Sequence, residues 1–548
     1  MQSVKKHINI QTILKILLIL VFIISVFSTY HITSNMLDGD AASELVFANH
    51  IAQTGQFLSK DWYYSTEIRI ICIQLIYAPL FMLFNDWSFV RFSGAAILQL
   101  LLIGSFFFAA HKAKFDKRAI YLGCILLLLP VSVSYGRVVL YHCFYTAYIS
   151  FSFLLAGLIF SFSGCKNRLS LAVKIILLAA LSFAGGLNGA RMLLIFNAPL
   201  LFGLVLLAFV KDCRNHENQY ILNKKFLTVF APACISLISA AAGYIVNSAV
   251  LSAEYTFNSY SNYILSLLPA DLLNRMTYGF MHLFGFRENV ELISAMGILS
   301  VAGAFAAIYC LSVSVIRLLN PDNSKDINYQ LFQLMFVFSA IVTIAVFLLT
   351  GGAHVYHFYL YLVPVYVWAV PFIVSVVNFD AAPKQLLNLN CLLPVIVVCI
   401  LVFNGFANIL FFHGKAFTEQ AYTGLDFENR HLTSDLSEAV AFIEENGYDL
   451  GYSTFWHCNV VTELTDGNTK MVSVTFEDSS KSVNYFNWLT LKSNRSYDAE
   501  KPFILVRRSE RDTFENLNLQ ADISLAFKGE YYSVYDINNL EEFRSIVQ

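Results

Sequence analysis

Three carboxylates, Asp38, Asp40 and Glu44, follow an apolar run in the stretch Met36–Trp62, MLDGDAASELVFANHIAQTGQFLSKDW. A carboxylate held beside a substrate hydroxyl can take its proton, and a base positioned in this way contributes about 10²–10⁴-fold to a rate. The same aspartates also suit helix capping, the commonest local use of Asp. Four arginines, Arg69, Arg91, Arg137 and Arg191, stand near the ends of apolar runs. A guanidinium there either stabilises negative charge as it develops in a dry site or snorkels to lipid headgroups. His354, His357 and Tyr359 follow Gly351-Gly352. Two His at this spacing can share a metal, or they can form a hydrogen-bonded structural pair. The ten cysteines include no CxxC pair and only Cys458 lies in the polar tail, which excludes a disulfide framework and a cysteine metal site. GGLNG (Gly185–Gly189) lacks the Lys-Ser/Thr that would make it a phosphate loop.

The elements that must carry these residues are membrane helices. The 548 residues are 57% hydrophobic and 14% charged, with mean hydropathy +0.59; soluble chains carry about 25% charged residues. Apolar runs long enough to cross a bilayer fall near 13–32, 89–110, 119–135, 142–163, 171–187, 192–210, 226–250, 291–316, 330–350, 357–377 and 391–411. The first run is expected to be a retained span, since no small-residue cleavage site precedes the polar loop. Lys and Arg collect in Lys112–Arg118, Lys166–Arg168, Lys211–Lys225, Arg317–Lys325 and at Lys384. Basic loops mark the cytoplasmic side. With the N-terminus inside, all five fall there provided that 70–84, short and holding Pro79, is a juxtamembrane or re-entrant helix. The expected architecture is a polytopic α-helical membrane protein of about eleven spans, N-terminus in and C-terminus out.

Two segments then face outward, about 33–88 and about 252–290; the second carries Glu254, Asp271, Arg275, His282 and Arg287. Residues 1–412 form the membrane domain and 413–548 a small extracytoplasmic α/β domain. That tail holds 12 Lys+Arg against 22 Asp+Glu, so its net charge of −10 dominates a chain of overall −2. Nothing in this charge pattern suits nucleic acid. In the tail, 432–445 reads as a helix capped by Ser434 or Asp435 and stopped by Asn446-Gly447. β-like runs follow at 450–455, 471–476, 503–506 and 531–535. YSTFWHCN (Tyr452–Asn459) reads as a strand-to-helix turn.

Within the first loop, a helix from Asp40 would place Ala41, Leu45, Ala48, Ile51 and Ala52 on one face. Such a helix can lie in the lipid interface, with Gly55 stopping it and Trp62, Tyr63 and Tyr64 in the headgroup layer.

This stretch resembles the GT-C superfamily of polytopic glycosyltransferases, which includes protein O-mannosyltransferases, aminoarabinose transferases and the oligosaccharyltransferase catalytic subunit. In these, an essential Asp follows the first span, then a juxtamembrane helix, then a Gly fifteen positions on. Gly55 follows Asp40 by fifteen, so the match selects Asp40 over Asp38. IYAPLFMLFNDWSFVRFSGAAILQLLL, with Pro79, Leu80 and Arg91, is similar to the segment opening the second span. LNGARMLLIFNAPLL and HFYLYLVPVYVW resemble later segments. The chain departs from the mannosyltransferase pattern in having Ala41 where Glu is common, and in lacking an acid beside Tyr135-Gly136-Arg137 and Tyr141-His142.

The resemblance implies transfer of a sugar from a polyprenyl-phosphate donor to a glycan, lipid or protein acceptor, with inversion, at the outer face of a bacterial plasma membrane. Asp40 would be the general base, with Asp38 beside it. Arg91 first, then Arg69, Arg191 and Arg137, would bind the donor phosphate, and Glu44, His354, His357 and Tyr359 would line the cavity. No cofactor is called for; a divalent metal is compatible but not indicated. A transporter of lipid-linked saccharide and a non-catalytic membrane scaffold are the rival classes. The former should show mid-span charges or inverted repeats, and neither is present in the sequence.

Overall fold

The computed structural model describes residues 10–65, 68–165, 167–209, 224–257, 269–287, 290–319, 325–350, 358–381, 388–413, 433–517, 519 and 521–548. Eight of its helices are long and apolar enough to cross a membrane, and a ninth span is a pair, Lys117–Leu128 and Val133–Tyr141, bent by 85°. Two shorter apolar helices, Thr146–Phe160 and Leu193–Phe209, complete the bundle. Together these coincide with the eleven apolar runs of the sequence. The chain is a polytopic integral membrane protein.

The bend in the ninth span shows how irregular backbone survives at membrane depth. Ser132 caps the second half by accepting from Tyr135 N at 3.2 Å. The carbonyls freed at Pro130 and Val131 accept from Asn408 Nδ2, at 2.6 and 3.0 Å, and Asn408 is fully buried. A buried carbonyl without such a donor would cost several kcal/mol in hydrocarbon.

Four helices of the N-terminal region set the site: α1 (Ile10–Asn35), α2 (Gly39–Thr54), α3 (Gln74–Phe81) and α4 (Trp87–Lys112). The eight residues of α3 span only about 12 Å at 1.5 Å per residue, too short to cross. The segment around it starts and ends at one end of the bundle, because Tyr63 N donates to Thr490 O and Trp87 N donates to Asp466 Oδ1, both acceptors in the tail. The basic loops meet at the other end, where Lys114 pairs with Asp326 at 2.6 Å and Arg118 with Asp380 at 2.8 Å.

Two-residue strands β1 (Tyr63–Tyr64) and β2 (Thr256–Phe257) pair in parallel and tie the first loop to the chain around Thr256. The tail is a six-stranded mixed sheet of β3 (Leu450–Ser453), β4 (Lys470–Glu477), β5 (Ser482–Tyr485), β6 (Pro502–Arg507), β7 (Ile523–Lys528) and β8 (Tyr532–Ile537). Its order is β5-β4-β3-β6-β8-β7, with β3 parallel to both neighbours. The four expected β runs are the inner strands. The edge strands β5 and β7 are additional, and half the residues of β7 or more touch solvent, so no continuous apolar run announces it. The Tyr452–Asn459 stretch is the turn from β3 into helix Phe455–Leu464.

Candidate active site

Local chemistry sets α2. Asp38 Oδ1 accepts from Ala41 N at 2.8 Å, a helix cap as Asp commonly makes, and Gly55 (φ +69°) closes the helix by donating to Ile51 O at 2.8 Å. Gly39, between the two aspartates, presses on the tail: a Cβ there would stand 2.6 Å from Phe455 O. The helix does not lie with its apolar face in lipid. Ala41, Leu45, Ala48 and Ile51 are buried by protein, with Ala41 and Ala42 in the apolar core of the tail and the rest packed with α3 and α4 residues such as Tyr77 and Val90. Trp62 and Tyr64 are likewise buried rather than placed at headgroups; Phe47 stacks on Trp62 with centroids 4.8 Å apart. The tail roofs this face, and hydropathy along one helix cannot distinguish a protein roof from lipid.

The two aspartates have opposite environments. Burial pushes Asp38 up, but the charges of His142 and Arg137 and the Ala41 N–H outweigh it and hold its carboxyl below the usual range. Arg137 Nη2 donates to Asp38 Oδ2 at 2.9 Å, with His142 Nδ1 3.7 Å away. Arg137 lies on a π-helical turn, Gly136–Tyr141, a distortion frequent at functional sites. Asp40 sits in the first turn of α2, half-buried, and among the described residues its carboxylate accepts no hydrogen bond. Burial, then the negative charge of Asp38, pushes it up to about 7; Arg137 and Arg69 oppose and Glu44 adds. Divergent environments for neighbouring carboxyls commonly mark divided acid–base roles.

Glu44, one turn on, accepts from Gln74 Nε2 and stands 3.7 Å from Arg69 Nη1. Burial raises its carboxyl against the opposing effects of Arg69 and Gln74. Arg69 Nε is shielded from solvent and has no hydrogen-bond partner among the described residues. The segment bearing Arg69 is clamped by buried Asn188, whose Oδ1 accepts from Ile70 N and Ile71 N at 2.7 and 2.8 Å and whose Nδ2 donates to Ile71 O at 2.9 Å. Arg191 lies over the rings of Tyr145 and Tyr148 at 5.5 and 5.4 Å, and Tyr148 is within electrostatic reach of both Arg69 and Arg191. A small cavity of about 40 Å³ is lined by Glu44, Arg69, Gln74, Trp62, Tyr64 and the tail residue Leu489, among others.

Arg91 is elsewhere. It is 5% exposed and grips Glu463 of the tail with two bonds of 2.5 Å, while its Nη2 donates to Ala41 O at 3.1 Å. Its Nε and Nη2 are taken up by Glu463 of the tail and Ala41 of α2, while Arg69 and Arg137 stand beside the acids and Arg191 beside Tyr145 and Tyr148. His354 and His357 lie outside the described residues. Tyr359 stacks on His282 at 4.9 Å, and His282 Nε2 bonds Ser134 Oγ at 3.0 Å, a cluster apart from Asp40. Among the described residues no three His, Cys, Asp or Glu side chains gather to hold a metal. A cavity of about 790 Å³ at the opposite end of the bundle, lined by Lys114, Arg118, Asp326 and Asp380, has these charges paired with one another.

Asn188, Gln74, Glu463 and Leu489 escape a reading of the sequence. Glu463 alone leaves a local trace, the one acid in a helix with no Lys or Arg, following Val460 and Val461.

No family model matches the chain, and no curated protein does. Among solved structures, ArnT from Cupriavidus metallidurans bound to undecaprenyl phosphate matches 96% of this chain and 98% of its own, at 13% identity and TM-score 0.50. The chain has the fold of ArnT. ArnT in the apo state gives 11% identity, coverage of 97% and 98%, and TM-score 0.38. The likeness to lipid-bound ArnT spans both bundle and tail.

Proposed function

We propose that the protein is a glycosyltransferase that moves a sugar from a polyprenyl-phosphate donor to an acceptor hydroxyl at the outer face of a bacterial plasma membrane. The observation that carries this reading is the pairing of roles within one cluster. Asp40 is poised near pH 7 with an unengaged carboxylate, and Arg69 beside it has a shielded Nε that wants an acceptor. That ArnT was solved with undecaprenyl phosphate supports a lipid of that class as the carrier.

Asp40, ionised, takes the proton of the acceptor hydroxyl as that oxygen attacks the anomeric carbon from the face opposite the phosphate. The carbon inverts and the sugar–phosphate bond breaks. Arg69, with Arg137 and Arg191 near, receives the charge that develops on the departing phosphate; fixed donors aimed at such charge supply much of a catalytic effect. Asp38 holds Arg137 and caps α2, and so fixes the turn on which Asp40 stands. Arg91 and Glu463 lock α2 beneath the tail. A glycan, a lipid or a protein would each offer the acceptor hydroxyl, and no metal is assigned a step.

Asp40→Asn should abolish transfer while the protein still inserts in the membrane. Mass spectrometry of envelope glycans and polyprenyl-linked sugars in cells carrying each form should show donor accumulating and product lost. An unchanged product profile would refute the proposal, and continued translocation of lipid-linked saccharide by the mutant would point to a transporter instead.

A further inference from the structure

Two glycines bring the membrane helices Arg168–Gly186 and Lys224–Val246 into backbone contact. A Cβ on Gly186 would run into Ala240 O, and one on Gly243 into Phe183 O. Small residues let helices in a bilayer approach this closely. The crossing sets two asparagines at one level. Asn188 lies two residues past Gly186, in the turn that ends its helix. Asn247 lies four past Gly243, about one turn on, where the helix passes into the π-helical turn Asn247–Leu251. Both side chains are buried. One turn back along the first helix, Ser182 Oγ donates to Ser236 Oγ at 2.9 Å, and Asn197 Nδ2 donates to the same oxygen at 3.0 Å.

These asparagines hold the backbone on both sides of Arg69. Residues 68–71 form neither helix nor strand, so their polar groups need partners from elsewhere. Asn247 Nδ2 donates to Ile68 O at 3.3 Å and also to Leu187 O. Asn188 supplies three more bonds, to Ile70 N, Ile71 N and Ile71 O. The bond to Leu187 O ties one clamp to the other, since Leu187 precedes Asn188. Arg191 follows Asn188 by three residues, so the same joint carries a second guanidinium. Tyr148 is within electrostatic reach of both, which puts the two in one neighbourhood. The need to satisfy buried backbone explains each bond singly. It does not explain why all of them converge on the two segments that carry Arg69 and Arg191.

We propose that Asn247, acting with Asn188, is a positioning residue that fixes the Arg69 guanidinium relative to Arg191, so that the two grip one phosphate. The inference rests on the glycosyltransferase reading, in which Arg69 receives that phosphate. A side chain on irregular backbone keeps a productive geometry only where that backbone is held by its surroundings, and small misplacements cost large factors. Without Asn247, Ile68 O and Leu187 O lose this donor and the segment shifts, while Arg69 itself is unchanged.

The probes are decaprenyl phosphate and decaprenol, identical but for the phosphate. Their affinities for the full-length protein in nanodiscs are measured by native mass spectrometry, and the ratio of the two isolates the share of the phosphate. Wild type, Arg69→Ala, Asn247→Ala, Asn188→Ala and the double variant Arg69→Ala with Asn247→Ala are compared. Arg69→Ala should lower the ratio by about tenfold or more, the scale of a hydrogen bond to a charged group. Each asparagine variant should lower it by about two- to tenfold, the scale of coupling within one network, with decaprenol affinity held within about twofold. A merely structural role would lower both affinities together. In the double variant the ratio should fall by less than the product of the two single losses, because no Arg69 guanidinium is left to position. Asn188→Ala carries the same test should Asn247→Ala fail to fold; failure of both to fold would make the joint structural only and overturn the proposal. Wild-type ratios in the folded asparagine variants, or a double variant that loses the full product, would also overturn it and leave the reading of the site standing. An Arg69→Ala ratio equal to that of wild type would overturn both.

Discussion

Two arginines flank α3, and each meets a glutamate, but the two pairs are built for opposite ends. Arg91 and Glu463 are both nearly out of solvent, their side chains 6% and 7% exposed, and join through two bonds of 2.5 Å with a third from Arg91 to Ala41 O. Arg69 and Glu44 stand 3.7 Å apart, beyond hydrogen-bond length, with Arg69 29% exposed and its Nε unpartnered. The first pair neutralises itself and bridges membrane domain and tail; the second retains capacity for another anion. An arginine's proximity to an active site therefore says little until its partners are named, and Arg91, which the motif singles out, is the one whose charge a buried glutamate of the tail already meets.

The largest effect expected from this contrast is on stability. Glu463→Ala leaves Arg91 charged, buried and unpaired, which costs about 3–5 kcal/mol and should lower the unfolding midpoint in detergent sharply. Replacing both partners with leucine should recover most of that loss, since the apolar pair needs no desolvation. If Glu463→Ala were neutral, the pair would not be holding the tail. Next is Arg69→Ala. Removing one donor to developing charge costs about 10²–10³ in kcat, whereas the loose Glu44 contact contributes about 0–1 kcal/mol. Transfer should collapse while the unfolding midpoint barely moves. A stability loss as large as that of Glu463→Ala would erase the distinction between the pairs.

pH sharpens the comparison between the aspartates. Asp40 must be ionised to act, and its carboxyl lies at about 7, so transfer should fall about tenfold per unit below that value. Its effect on folding has the opposite sign. A carboxyl raised in the folded state favours folding while protonated, and this contribution is lost as pH climbs from about 4, the unfolded value, through about 7. Asp38, held low, contributes stability above its unfolded value and loses it as pH falls through its folded value. Unfolding curves between pH 5 and 8 should therefore show Asp40→Asn removing a decline with rising pH, and Asp38→Asn shrinking that decline, since the charge of Asp38 is part of what raises Asp40.

What could be read in advance follows the range of the forces involved. The eleven apolar runs, the cap at Asp38 and the stop at Gly55 depend on neighbours within a turn or a span, and the structure has them where the pattern puts them. The Asp40–Gly55 spacing carried the fold resemblance for the same reason. The roof over α2 was not legible, because Trp62 is buried by partners such as Leu491, which follows it by more than 400 residues and forms a bridge with it. Arg91 and Glu463 are separated by 372 positions, so no local pattern exposes the pairing. Asn188 reads as part of a flexible glycine-rich end until its side chain is seen closing on the backbone of Ile70 and Ile71.

Arg191 tests whether the contrast is truly between two arginines or among three. It rests on the aromatic faces of Tyr145 and Tyr148, an attraction of about 0.5–2 kcal/mol that fixes its direction. A guanidinium held in this way adds positive potential beside Arg69 at a smaller weight than a direct phosphate contact. Arg191→Leu should raise KM for a polyprenyl-phosphate sugar by about three- to tenfold, which the same attraction scale sets, with kcat and the unfolding midpoint little changed. Salt should weaken donor binding to wild type more than to this variant, because one charge has gone from the field that attracts the phosphate. Should Arg191→Leu match Arg69→Ala in kcat, the leaving phosphate is shared between them, and the spare capacity seen in Arg69 belongs to a basic cluster rather than to one side chain.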